Sequence, residues 1–211
     1  MTEEEAKEKI QELSNVSRET MDRLEIYANL LERWNPKINL VSKATLHEKW
    51  QRHFLDSAQL IPHIHESAGK LVDIGSGAGF AGLVVASIAH QTHPNLSVTL
   101  IEADTRKCAF MRTAAREMGI EAQIITQRIE EAANLGADIV SARALAPISM
   151  LLTYARQILA PTGHCLFLKG EACDNELEIA AESWDFKVEK SQSITHDQGV
   201  IVKLTGIQGA N

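Results

Sequence analysis

A chain of 211 residues with 45% hydrophobic content has the size and make-up of one packed domain carrying an extension. Its formal charge of −7 argues mildly against nucleic acid as a partner, and no apolar run is long enough to cross a membrane. The acidic, polar N-terminus reads as neither secretory signal nor transit peptide, and Cys108, Cys165 and Cys173 stand far apart, which suits a reducing cytoplasm.

The acid is unevenly spread. It gathers near the start of the chain and in residues 171–190, while residues 35–56 hold Lys37, Lys43, Lys49 and Arg52 with His47 and His53. Arg106, Lys107, Arg112 and Arg116 form a second basic cluster. A basic face on an acidic protein is therefore open, beside the plainer reading of solvated helix faces.

Thr2-x-x-Glu5 is a capping box that opens a helix to about Leu13. Ser17 can cap a second helix, whose Met21, Leu24, Tyr27, Leu30, Leu31 and Trp34 recur at helical spacing and read as core. Asn35-Pro36 is expected to end it, because the residue before a proline is pushed out of the helical region. Thr45-x-x-Glu48 reads as a further capping box, opening a helix that carries Trp50, Phe54 and Leu55. Pro62 marks a boundary. Residues 1–66 are thus expected to form a helical extension packed on a body of residues 67–211.

The body opens with Leu71-Val72-Asp73-Ile74, a short buried strand, and then Gly75-Ser76-Gly77-Ala78-Gly79-Phe80-Ala81-Gly82. Strand, glycine turn and helix form the context in which a backbone approaches a nucleotide and a helix N-terminus points at it. Gly77-x-Gly79-x-x-Gly82 matches a dinucleotide fingerprint, with Glu102 at the spacing of a ribose-binding acid. Asp73 weighs against that reading. A carboxylate beside the turn repels a diphosphate but suits the sulfonium and ammonium of S-adenosylmethionine, which favours a class I methyltransferase over an NAD-dependent oxidoreductase.

Further strands are expected near 97–103, 121–127, 137–143 and 164–170. Helices are expected near 81–91, 105–118, 147–159 and 174–183, with a short third crossover from Ile129 to Asn134. This alternation gives an α/β, Rossmann-like, doubly wound parallel sheet. Phe186–Ile194 and Gly199–Gly206 read as a terminal antiparallel hairpin, which fits a methyltransferase better than a dinucleotide fold.

Cofactor contacts in such a sheet lie at the C-terminal ends of the first strands. Gly75 and Gly77 let the backbone come close, and Glu102 can accept both ribose hydroxyls, or else serve as an acid at a helix start. Ile129-Glu130 offers main-chain amides for the adenine edge. Arg143 and Lys169 end two strands, so two cations are expected side by side above the sheet, each functional or paired locally. His63-x-His65 and His90-x-x-His93 have no companion ligands, and no metal is expected.

Several blocks carry a resemblance: Trp34-Asn35-Pro36-Lys37-Ile38-Asn39-Leu40, Arg52-His53-Phe54-Leu55-Asp56-Ser57, the Asp73–Phe80 turn, Arg128-Ile129-Glu130, Ser141-Ala142-Arg143-Ala144 and Lys169-Gly170. In these the chain resembles, over nearly its whole length, the bacterial 16S rRNA guanine-N7 methyltransferases of the RsmG/GidB family. One departure is Ala81-Gly82, where the family usually has Pro-Gly. The resemblance implies methyl transfer from S-adenosylmethionine to one guanine N7 in the 530 loop, with 16S rRNA or the 30S subunit as partner. It also implies a cofactor site at Gly75, Phe80, Ile129, Glu130 and Arg143; from the cysteine pattern and the lack of any sign of an obligate dimer, a cytoplasmic monomer is expected. Arg52, His53, Arg143 and Lys169 are the candidate RNA contacts. The competing reading of the Arg52 block is structural, with Asp56 pairing Arg52 and Ser57 capping the next helix. Methylation of another substrate and a binding module without turnover remain open alternatives.

Overall fold

The computed structural model describes residues 1–209, so the last two residues of the expected body lie outside it. Seven strands form one sheet: β1 (Lys70–Ile74), β2 (Ser97–Glu102), β3 (Gln123–Thr126), β4 (Ala137–Arg143), β5 (Leu159–Lys169), β6 (Trp184–Gln192) and β7 (Val200–Gly209). Their order is β3-β2-β1-β4-β5-β7-β6. The first five run parallel, and β7 inserts antiparallel between β5 and β6. The expected sheet and hairpin are both present. The order reverses between β1 and β4, the place where an open α/β sheet leaves a crevice at its strand ends.

The helices are α1 (Glu3–Ser14), α2 (Arg18–Ile38), α3 (Lys43–Leu46), α4 (Asp56–Ala58), α5 (Phe80–Thr92), α6 (Thr105–Met118), α7 (Ile148–Ile158) and α8 (Cys173–Ala181). A π-helical segment, Trp50–Leu55, runs directly into α4. Every residue of α5 from Phe80 to Ala89 is buried. A helix with no polar face needs cover on both sides. The sheet covers one side of α5, and α2 with the π-helical segment covers the other, in one core cluster joining both ends of the chain. A second cluster, built on α7 and α8, fills the opposite face of the sheet. Gly82 permits the close approach of α5, since a Cβ there would stand 2.5 Å from the Leu100 side chain.

Two expected boundaries move among the N-terminal helices, and β5 begins at Leu159 instead of near 164. α2 does not stop at Asn35-Pro36 but runs through Pro36 to Ile38 and ends on Asn39 in the left-handed region, φ 49°. A proline one turn from a helix end forfeits a single ladder bond, and the packing of Trp34 on Phe110, ring centroids 5.7 Å apart, holds the turn in place. Ser42, not Thr45, is the N-cap of α3, accepting from the Thr45 amide at 3.2 Å. The Thr45-x-x-Glu48 box does not form, because Thr45 lies inside that helix.

Candidate cofactor and acceptor site

The site grows from the glycine turn. Gly75, Gly77 and Gly79 have φ of 61°, 59° and 89°, a region that costs any residue with a Cβ. A Cβ on Gly77 would meet nothing nearer than the Gly75 carbonyl oxygen at 4.0 Å, so its glycine answers to the backbone conformation and to the space in front of it. Three bonds hold the turn. The Gly77 N–H donates to Glu102 Oε2 at 2.8 Å, the Ser76 N–H to the Ile101 carbonyl at 3.1 Å, and the buried Tyr27 hydroxyl to the Ala78 carbonyl at 2.7 Å. Burial away from water pushes the Tyr27 phenol well above its ordinary pKa, which keeps it a donor.

The turn is the floor of a cavity of about 520 Å³. Gly75, Gly77, Phe80, Glu102, Ile129, Glu130 and Arg143, all expected as cofactor residues, line it together with Asp73. Glu102 does not cap α6, since Asp104 is that helix's N-cap. Its second oxygen instead accepts from the Asp104 N–H at 2.9 Å, so the carboxylate clamps two βα turns together. Glu130 accepts from the Tyr154 hydroxyl at 3.1 Å.

Leu40, Val41, Leu145, Met150 and Tyr154 also line the cavity and were not expected. The first two arrive because α2 runs past Pro36 and Asn35 Oδ1 then accepts from the Val41 N–H at 2.9 Å. For Leu145 the available signal was an apolar residue in the loop between the strand-end Arg143 and Pro147. Ala144 before it takes φ 51°, a conformation that costs a non-glycine residue on the order of 1 kcal/mol or more.

Asp73 tests whether this cavity fits a cationic cofactor. It is 1% exposed; Oδ1 accepts from Ser141 Oγ at 2.8 Å, and Oδ2 is buried with no partner. Burial raises its pKa to about 6, against the opposing pull of its hydroxyl partners and Arg143. An unpaired buried carboxylate oxygen is costly by itself and is satisfied by an ammonium donor. Asp73, in a lining that also holds Glu102 and Glu130 beside Lys107, Arg128 and Arg143, therefore offers a counter-charge that fits a cationic cofactor such as S-adenosylmethionine.

A second cavity, about 560 Å³, shares Arg143 and Ala144 with the first as a common wall. Arg52, His53, Asp56, Lys169, Glu171, Thr195 and His196 are among its lining residues, so all four expected RNA contacts meet here. The two cations are not free in the same way. Lys169 is paired with Glu176 at 2.6 Å and donates to the Ala146 carbonyl at 3.0 Å. Arg143 is anchored through Nη1, and Asp56 is its ion partner at 3.4 Å. The structural alternative's Asp56–Arg52 pair is therefore replaced by Asp56–Arg143, and Ser57 Oγ, its cap, is buried without a partner. Lys49, one of the basic residues of the extension, is drawn to Glu32 at 3.0 Å and Glu3 at 3.6 Å. Among the described residues no group of three or more His, Cys, Asp or Glu could hold a metal ion, and no helix is long and apolar enough to cross a membrane.

In solved structures the fold is similar to a SAM-dependent methyltransferase from Aquifex aeolicus, with TM-score 0.56 at 10% identity over 75% of this chain and 92% of that one. It is also similar to TYW2 of Pyrococcus horikoshii, solved with MeSAdo, with TM-score 0.53 at 14% identity over 79% and 64%. In sequence, a ribosomal RNA small subunit methyltransferase G from Ruegeria pomeroyi is 47% identical over 92% of this chain and 94% of its own length. One from Rhodospirillum centenum is 49% identical over 91% and 87%. The family model for rRNA small subunit methyltransferase G, GidB, matches residues 20–204, and the chain belongs to that family.

Proposed function

We propose that this chain methylates N7 of one guanine in the 530 loop of 16S rRNA, with the acceptor base in the second cavity and S-adenosylmethionine in the first. One observation carries the reading: a buried, unpartnered carboxylate oxygen on Asp73 lies in the cavity that gathers every expected cofactor residue. S-adenosylmethionine is the cofactor, and it supplies a methyl group already activated on a sulfonium.

The chain's own residues then have a limited task. Guanine N7 has an exposed lone pair and no proton, so no side chain has to act as a general base. What remains is to hold the base in line and exclude water, a contribution that reaches roughly 7–11 kcal/mol in favourable cases. A cation on guanine O6 suits that edge, since arginine and lysine read guanine there. Both cations are ion-paired, Lys169 with Glu176 and Arg143 with Asp56, but the contacts of Arg143 use Nη1 alone and leave it further donors, so Arg143 is assigned to the base. The base must leave its stack to reach the cavity, which costs least in a loop.

Calorimetry with S-adenosylmethionine and with NAD tests the first half of the reading. Binding of the methyl donor and none of NAD is expected; the reverse would support the oxidoreductase. Incubation of 30S particles, naked rRNA, protein and small-molecule acceptors with labelled cofactor tests the second half, and label in protein or small molecules alone would move the substrate class.

A further inference from the structure

We infer that His53 and Asp56 are positioning residues for methyl transfer, acting through Arg143 rather than as contacts to RNA. This rests on the acceptor-base reading above and assigns the Arg52–Ser57 block a role within it. Nη1 of Arg143 donates toward three acceptors on one short segment: the Arg52 carbonyl at 3.0 Å, His53 Nδ1 at 3.0 Å and Asp56 Oδ2 at 3.4 Å. Its guanidinium lies 5.2 Å from the centroid of Phe80, on which the His53 ring also stacks at 4.5 Å.

The π-helical winding makes this cluster possible. The Asp56 N–H reaches back to the Gln51 and His53 carbonyls, which leaves the Arg52 carbonyl for the arginine. An extra residue in a helical turn is a recurrent feature of functional sites. The histidine is equally committed. Arginine has no acceptor, so Nδ1 must be the unprotonated nitrogen and the proton sits on Nε2. Burial, with Arg143 and Arg52 beside it, holds His53 neutral, its pKa lowered to about 3. Asp56 extends the clamp to the loop after β6: its Oδ1 accepts from Thr195 Oγ1 at 2.8 Å and Gln59 Nε2 at 2.9 Å, while Gln51 Nε2 donates to the Thr195 carbonyl at 3.0 Å. With Nη1 held on three sides, Nε and Nη2 are the donors left to Arg143, which lines both cavities.

Steady-state methylation of 30S subunits by the full chain tests this. His53→Phe keeps a ring to stack on Phe80 and removes the acceptor; kcat is expected to fall roughly ten- to hundredfold, the effect of misplacing a reacting partner by about 1 Å, with KM for the RNA substrate little changed. His53→Asn returns an acceptor near the Nδ1 position and is expected to recover part of that loss. Equal kcat in wild type and His53→Phe, equal losses in the Phe and Asn variants, or a raised KM for the RNA substrate at unchanged kcat would each overturn the inference. Should His53→Phe fail to fold, Asp56→Asn removes the charge of the second anchor; the same fall in kcat is expected, and wild-type kcat would refute the clamp. A wild-type enzyme that labels no rRNA would instead sink the proposed function, so the two failures are distinguishable.

Discussion

Asp73 combines a stability cost with a binding role, and the two separate by pH. Its native pKa of about 6 lies above the ordinary carboxyl value of about 4. Well below pH 4 the carboxyl is protonated in both folded and unfolded chains and costs nothing. Between about pH 4 and 6 the unfolded chain has released its proton while the native carboxyl still holds it, so native stability falls across that window and the full penalty stands above pH 6. Asp73→Asn is therefore expected to melt about 3–6 °C higher than wild type at pH 7.5, a gap that closes toward pH 4. The same variant should bind S-adenosylmethionine at least tenfold more weakly at pH 7.5, because the amino end loses its counter-charge. Wild-type affinity should weaken as pH falls from 7.5 to 5, and that dependence should vanish in the variant. Unchanged affinity across both proteins would remove Asp73 from the site. Glu102 behaves differently, since both its oxygens already accept backbone amides. Glu102→Ala is expected to lower cofactor affinity and melting temperature together; calorimetry beside thermal unfolding checks both, and a loss of neither would contradict the clamp.

Among the elements, the glycine turn with its flanking strand and helix was legible because its cause is local. A strand buried on both faces reads as a run of apolar residues, and positive φ demands glycine at Gly75, Gly77 and Gly79. The π-helical segment was not legible. Trp50, Phe54 and Leu55 satisfy an ordinary helical spacing as well as a π-helical one, and the extra residue shows only in which carbonyl Asp56 reaches. The exit of α2 was misread for a related reason: the proline rule describes the chain before packing, and the aromatic contact of Trp34 outweighs it. The link between α2 and the turn gives a direct test. Tyr27→Phe removes one buried hydrogen bond to Ala78, worth about 1–2 kcal/mol. It should lower the melting temperature by about 2–6 °C and weaken cofactor binding by a few-fold. Wild-type values for both would show that the N-terminal helices do not hold the turn.

At the scale of the molecule, the α/β alternation and the terminal hairpin could be read in sequence, but the choice of ionic partners could not. Asp56 lies four residues from Arg52, a natural helical pair, yet it binds Arg143 from β4. Lys49 turns to Glu3 and Glu32, which removes it from any basic face. Such choices depend on which segments the fold brings together, here β4 and the π-helical segment. The same assembly brings Arg52, Arg143 and Lys169 together at the second cavity beside Asp56, Glu171 and Glu176, so the basic groups collected there are partly met by carboxylates. The most direct measurement is the position of the transferred methyl group. 30S subunits lacking the modification are incubated with this chain and methyl-labelled S-adenosylmethionine, and the rRNA is then cleaved at N7-methylguanine and sequenced. A single labelled guanine N7 within the 530 loop is expected. Label on another atom or another base, or none on rRNA while the cofactor binds, would contradict it.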